Sequence, residues 1–143
     1  MSARPPYRFA HRVRVGFDET DAAGIVYYGR YMPYFDRARV EYLRALALLA
    51  RTLGPTEYVM RAQEVEYHAP ARFDDQLDVS VRVARIGGTS ISWEFDAHHV
   101  EDGRHLAAAR QTLVRIELET RRPVPIDAAF REAVLAFEGQ PVG

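Results

Sequence analysis

Cysteine is absent from the 143 residues, and that absence removes disulfides, thiolate nucleophiles and every Cys-based zinc or iron–sulfur site. Lysine is absent as well, so all nineteen basic residues are arginine. Arginine suits planar, bidentate contacts to phosphate or carboxylate, although a GC-rich genome is the weightier explanation of the bias. Twenty acidic residues bring the formal net charge to −1, so no single-signed field draws in nucleic acid or an anionic membrane. Any anion site must be local. No uncharged apolar run approaches the length of about 18 residues that a membrane span needs, and the opening MSARPPYRFAHRVRV has no apolar stretch of signal-peptide length. A soluble cytoplasmic protein, without membrane insertion and without nucleic acid as a partner, is the expectation.

What the chain does have is enough apolar material, 48% of its residues, to fill one core. A single domain over residues 1–143, folded from about residue 7 to 137, is expected, and a domain of this size gains by oligomerising. Tyr7, Phe9, His11, Val13, Val15 and Phe17 alternate with mostly arginine or small residues, the period of a half-buried strand. After DETDAAG, the residues Tyr31, Phe35, Ala38, Tyr42, Leu46 and Leu49 recur every three or four positions. They predict one long amphipathic helix ending near Gly54-Pro55. Pro33 is tolerated only near a helix start, so regular helix begins at about Gly29 to Tyr31.

Residues 57–69 read as an irregular strand. Leu77, Val79, Val81 and Val83 alternate cleanly, Gly87-Gly88 marks a hairpin, and TSISWEFDAHHV and HLAAARQTLVRIEL return as two more strands. Pro123 and Pro125 stop the sheet, and Asp127 caps a short C-terminal helix through Phe137. The order is strand, long helix, four meandering antiparallel strands, short helix: an α+β domain with the long helix on one face of the sheet. Open edge strands make pairing between two copies a natural remedy.

Two aspartates, Asp18 and Asp21, precede the apolar IVYY that leads into the long helix. Pro33 pushes regular helix several residues downstream, which argues against Asp21 as its cap. The five histidines, at 11, 68, 98, 99 and 105, lack metal-ligand spacing. Adjacent His98 and His99 face opposite sides of a strand and cannot share an ion. All five are read as structural or exposed, with no metal site.

The run Thr20-Asp21-Ala22-Ala23-Gly24-Ile25-Val26-Tyr27-Tyr28, with Tyr31, Phe35-Asp36-Arg37-Ala38-Arg39 and the turn Ala71-Arg72-Phe73-Asp74-Asp75, resembles the hotdog-fold acyl-CoA thioesterases of the 4-hydroxybenzoyl-CoA thioesterase type. The resemblance extends over the element order from about Tyr7 to Phe137. It implies a five-stranded antiparallel sheet wrapped around a central helix, an acyl-CoA substrate and no cofactor beyond the coenzyme A of the substrate. It also implies a homodimer or homotetramer with the acyl group at the subunit interface.

By that resemblance Asp21 is catalytic, as nucleophile or as general base for water, and the Tyr28 backbone N–H polarises the thioester carbonyl. Gly24, Val26, Tyr27 and Tyr31 would line the substrate site. Arg85, Gly88, Thr89, Ser90, Arg121 and Arg122 would meet the nucleotide phosphates. Some relatives have a histidine at the place of Tyr28 and basic residues at the places of Gly87 and Gly88; this chain has neither, so no Asp/His pair forms there and no side chain at 87 or 88 binds phosphate. The chemistry agrees independently. A carboxylate with an ordinary pKa of about 3.9 is ionised at neutral pH, and a helix mouth offers free N–H groups to an oxyanion. Acyl-carrier-protein thioesterases and a non-catalytic acyl-CoA sensor are the competing classes.

Overall fold

The computed structural model describes residues 4–52 and 54–139. Strand β1 (Ala10–Arg14) buries Val13, with Val15 just beyond it. Two single turns, at Phe17–Glu19 and Tyr28–Arg30, flank the DAAG loop, and the second runs straight into helix α1 (Tyr31–Ala45). Strands β2 (Thr56–Tyr67), β3 (Gln76–Ile86), β4 (Ser90–His99) and β5 (His105–Glu117) follow, then helix α2 (Ala128–Glu138). The sheet has five strands in the order β1-β3-β4-β5-β2, every neighbouring pair antiparallel. This is the expected hotdog architecture.

Only β3, β4 and β5 form a true meander. The expected pairing of β2 with β3 does not occur: β2 lies at the far edge beside β5. Its irregular alternation is the physical sign of that position. The residues of β2 are mostly exposed, whereas β4 alternates strictly between buried and half-buried, because the long helix covers one part of the sheet and not the other. Phe35 packs on Phe95 at 5.1 Å between ring centres, and Tyr42 meets Trp93 edge-on at 5.1 Å. Tyr34, Phe35, Ala38 and Tyr42 are fully buried. Each large side chain buried in this way contributes about 1.5–3 kcal/mol relative to exposure.

The helix is shorter than its apolar pattern predicts. Leu48 N–H bonds to Leu43 C=O and Ala47 N–H to Arg44 C=O, with Ala47 at a φ of 58°. These two bonds close the last turn as a Schellman motif. Leu46 and Leu49 continue the period but lie outside the helix, since an apolar residue that follows a helix can pack on the same core. Pro33 sits in the first turn, where its missing N–H has no helical partner to lose. Asp127 caps α2 as expected, accepting from Ala129 N–H at 3.3 Å.

The sheet has two ends. Arg14, Gln76, His99 and Tyr67 mark one, and Ile86, Ile91, Glu117 and Thr56 mark the other. The strand between them, β3, has 11 residues, so the ends stand about 30 Å apart at the usual rise per residue.

Candidate active site

Asp21 sits at the first of these ends, in a tight turn that its own neighbours close. Asp21 N–H donates to Ile25 C=O, and Gly24 N–H donates to Asp21 C=O, both at 2.9 Å. Gly24 adopts a φ of 80°, and a side chain there would meet nothing within 4 Å. Glycine is therefore needed for the backbone angle rather than for room. One carboxylate oxygen of Asp21, Oδ1, accepts from Ala23 N–H at 2.9 Å. The side chain makes no bond to the helix, so Asp21 is not a helix cap. Asp18 lies exposed on the preceding turn.

Bonds from Val26 N–H to Ala71 C=O and from Tyr27 N–H to Glu19 C=O carry the chain to the helix mouth. There the Arg30 and Tyr31 N–H groups bond to Tyr27 and Tyr28 C=O. Among the described residues, the Tyr28 and Gly29 N–H groups have no acceptor. Free donors at the start of a helix carry partial positive charge and suit a developing oxyanion.

A cavity of about 390 Å³ joins these parts, lined by Asp21, Ile25, Val26, Tyr28, Tyr31, Tyr67, His68, Ala69 and Pro70. Of the residues expected at the site, Asp21, Val26, Tyr28 and Tyr31 come together in this cavity. Gly24 closes the turn and Tyr27 packs on Tyr28 at 4.4 Å, neither of them lining the cavity. Tyr31 and Tyr67 meet edge-on at 5.6 Å, and the Tyr67 hydroxyl donates to Tyr28 C=O at 3.1 Å. Burial pushes the Tyr31 phenol up to about 12, and Tyr67 and Asp75 add to it against the opposing pull of Arg104. Burial and neighbouring Tyr28 raise the Tyr67 phenol too. Both remain hydroxyl donors at neutral pH.

The sequence does not single out Tyr67 and reads His68 as structural or exposed, whereas both line the cavity, since each reaches the site only through the crossing of β2 to the far edge. The one available signal was the aromatic at the end of a strand next to a proline turn. The His68 ring stacks on His105 at 4.5 Å, and His105 stacks on His98 at 4.7 Å. Stacked rings present their faces to one another, and among the described residues no group of side chains converges in metal-ligand geometry. His99, by contrast, is buried between Asp75 and Asp102.

The residues expected at the nucleotide lie elsewhere. Arg85, Gly88, Thr89 and Ser90 form the β3–β4 hairpin, and Arg121 and Arg122 follow β5, all at the opposite end of the sheet from Asp21. Gly87 N–H bonds to Ser90 C=O at 2.8 Å, and a Cβ on Gly87 would lie 2.9 Å from the Ser90 hydroxyl. Ile126 N–H and Arg115 N–H take the Gly88 and Thr89 carbonyls, which pins the hairpin to the end of β5. Arg121 turns the chain with a φ of 62°. A single chain does not bring these six residues to Asp21.

A helix wrapped by this sheet order, with a carboxylate loop at its N-terminal mouth, defines the class as a hotdog-fold protein of thioesterase type. The model of the thioesterase-like superfamily matches residues 15–134, and the chain belongs to that superfamily. The acyl-CoA thioesterase YbgC of Haemophilus influenzae is 33% identical over 128 residues, covering 87% of this chain and 93% of that protein. An acyl-CoA thioester hydrolase YbgC of Escherichia coli is 40% identical over 88 residues, or 58% of this chain and 63% of the relative. Among solved structures, a 1,4-dihydroxy-2-naphthoyl-CoA thioesterase from Synechocystis superposes with a TM-score of 0.82, covering 88% of this chain and 94% of its own at 22% identity. That likeness is one of fold.

Proposed function

We propose that this protein hydrolyses acyl-CoA thioesters to free acid and coenzyme A, with Asp21 as nucleophile or general base and the Tyr28 N–H as carbonyl donor. The observation that carries this reading is the cavity lined by both Asp21 and Tyr28, the latter with its N–H unpaired at the helix mouth. As a base, Asp21 takes a proton from water, whose oxygen then bonds to the thioester carbon. The carbonyl electron pair moves onto oxygen, where the Tyr28 N–H, with the Gly29 N–H beside it, stabilises the charge. Collapse breaks the C–S bond, and the thiolate takes up the proton from Asp21. As a nucleophile, Asp21 bonds to the acyl carbon first, the C–S bond breaks and coenzyme A leaves as the thiolate. Water then cleaves the resulting anhydride to the free acid and the Asp21 carboxylate, and its released proton goes to the thiolate. Membership of the superfamily and the resemblance to YbgC support the substrate class.

The working unit in this reading is a homodimer, or a tetramer built from it. Strand β2 is an edge with an uncovered helix-side face, where Met60 and Tyr67 are exposed. Antiparallel pairing of two β2 edges would set the Asp21 end of one copy against the hairpin end of its partner. That arrangement supplies Arg85, Gly88, Thr89, Ser90, Arg121 and Arg122 to the coenzyme A arm from the second subunit, which a monomer cannot do.

A thiol-release assay over aromatic, short, medium and long acyl-CoAs tests the proposal beside Asp21→Asn. Turnover by the parent and a loss of about 10²- to 10⁴-fold in kcat for the variant are expected, the usual contribution of a positioned acid–base group. Equal rates for the two would sink the mechanism. Absence of turnover on every acyl-CoA would shift the reading to acyl-carrier-protein substrates or to a sensor.

A further inference from the structure

Glu19 occupies a place that the chemistry of hydrolysis does not account for. It ends the single turn at Phe17–Glu19, and its side chain folds back toward the core. Oε1 accepts from Gly16 N–H at 2.7 Å and from the Tyr34 hydroxyl at 2.8 Å. Tyr34 belongs to α1 and is fully buried. The Glu19 carbonyl accepts Tyr27 N–H at 3.0 Å, one residue before the free N–H of Tyr28. One residue thus ties together the start of the catalytic loop, the buried side of the helix and the peptide that leads into the helix mouth. Asp21 follows it by two residues.

We propose that Glu19, anchored by Tyr34, is a positioning residue that fixes the Asp21 carboxylate relative to the Tyr28 N–H. The inference rests on the assignment of those two groups as the reacting pair. Asp21 and Tyr28 lie on opposite arms of the loop, joined across it by the isolated bridge between Thr20 and Val26. That bridge holds the arms to each other but not to the helix. The bond between a carboxylate and a buried phenol provides the second attachment, and a charge-assisted bond of this kind is stronger than a neutral one. Burial, and then the bond to Glu19, push the Tyr34 phenol well up from its ordinary value, so it stays a donor. A displacement of about 1 Å between reacting groups is enough to lower a rate by about 100-fold.

The test compares Tyr34→Phe, Glu19→Gln, Glu19→Ala and Asp21→Asn with the parent on its best acyl-CoA, with kcat and KM measured separately. Tyr34→Phe keeps the ring in the core and removes only the anchoring oxygen. Its kcat is expected to fall by about 10- to 100-fold with KM within about twofold, since no substrate contact is lost. Glu19→Gln retains an acceptor for both donors and is expected to stay within about threefold of the parent. Glu19→Ala should match Tyr34→Phe, and the double variant Tyr34→Phe/Glu19→Ala should be no slower than either, because both remove one interaction. Unchanged kcat in Tyr34→Phe, beside an inactive Asp21→Asn, overturns the positioning role and leaves the site assignment intact. A rise in KM in place of a fall in kcat overturns it as well. Full activity in Asp21→Asn overturns the site assignment itself, and the inference with it.

Discussion

Gly24 shows how little of the loop that carries Asp21 depends on side-chain contact. Its positive φ lets Asp21 and Gly24 close a turn within four residues, an angle that costs an alanine about 1–2 kcal/mol. Open space surrounds the missing Cβ, so the strain is the whole effect. Gly24→Ala is expected to lower stability by about 1 kcal/mol, read as a shift in the urea midpoint at unchanged slope. Asp21 was legible in the sequence because its motif and the placement of Pro33 both set it apart from a cap. Tyr67, His68 and Glu19 were not. The Tyr67 hydroxyl reaches Tyr28 across 39 positions and Tyr34 reaches Glu19 across 15, and no local pattern of one segment encodes such a meeting.

Helix α2 reads in isolation as a short amphipathic cap, yet its last residue holds three elements together. Glu138 is buried, and its Oε2 accepts from the Tyr42 hydroxyl of α1 at 2.6 Å and from Val83 N–H of β3 at 3.1 Å. Strand β1 pairs with β3 only as far as Ser80, so the carboxylate takes a strand N–H that β1 no longer reaches. Glu138→Ala leaves two buried donors unpaired and is expected to cost about 2–4 kcal/mol in chemical unfolding, whereas Glu138→Gln should cost less. Among the elements, β3, β4, β5 and α2 were readable because each presents one face to a single core. The end of α1 and the place of β2 were not. Leu46 and Leu49 keep the helical period while a Schellman turn redirects the chain, and the weak alternation of β2 fits several edges.

At the scale of the molecule, the long helix packs over β1, β3 and β4 and, apart from the contact of Tyr31 with Tyr67, leaves β2 open. A second copy on that edge would also complete the site, so association and activity should be lost together. Met60→Asp, which puts a charge on the uncovered face of β2, is expected to shift sedimentation from dimer to monomer and to lower specific activity in proportion. A monomeric parent with full activity would show that one chain suffices.

Composition and periodicity by themselves determined that this chain has no thiol chemistry, that a helix follows β1, and that a carboxylate precedes the helix mouth. These follow from residue types and short spacings, which local sterics and burial on one face convert into structure. Tertiary structure alone decided that β2 crosses to the far edge, that Tyr67 and His68 line the cavity beside Asp21, and that the hairpin arginine lies at the opposite end of the sheet from that carboxylate. Those placements depend on which edges and faces remain uncovered once the core has formed, a property of the packed sheet and of no single segment.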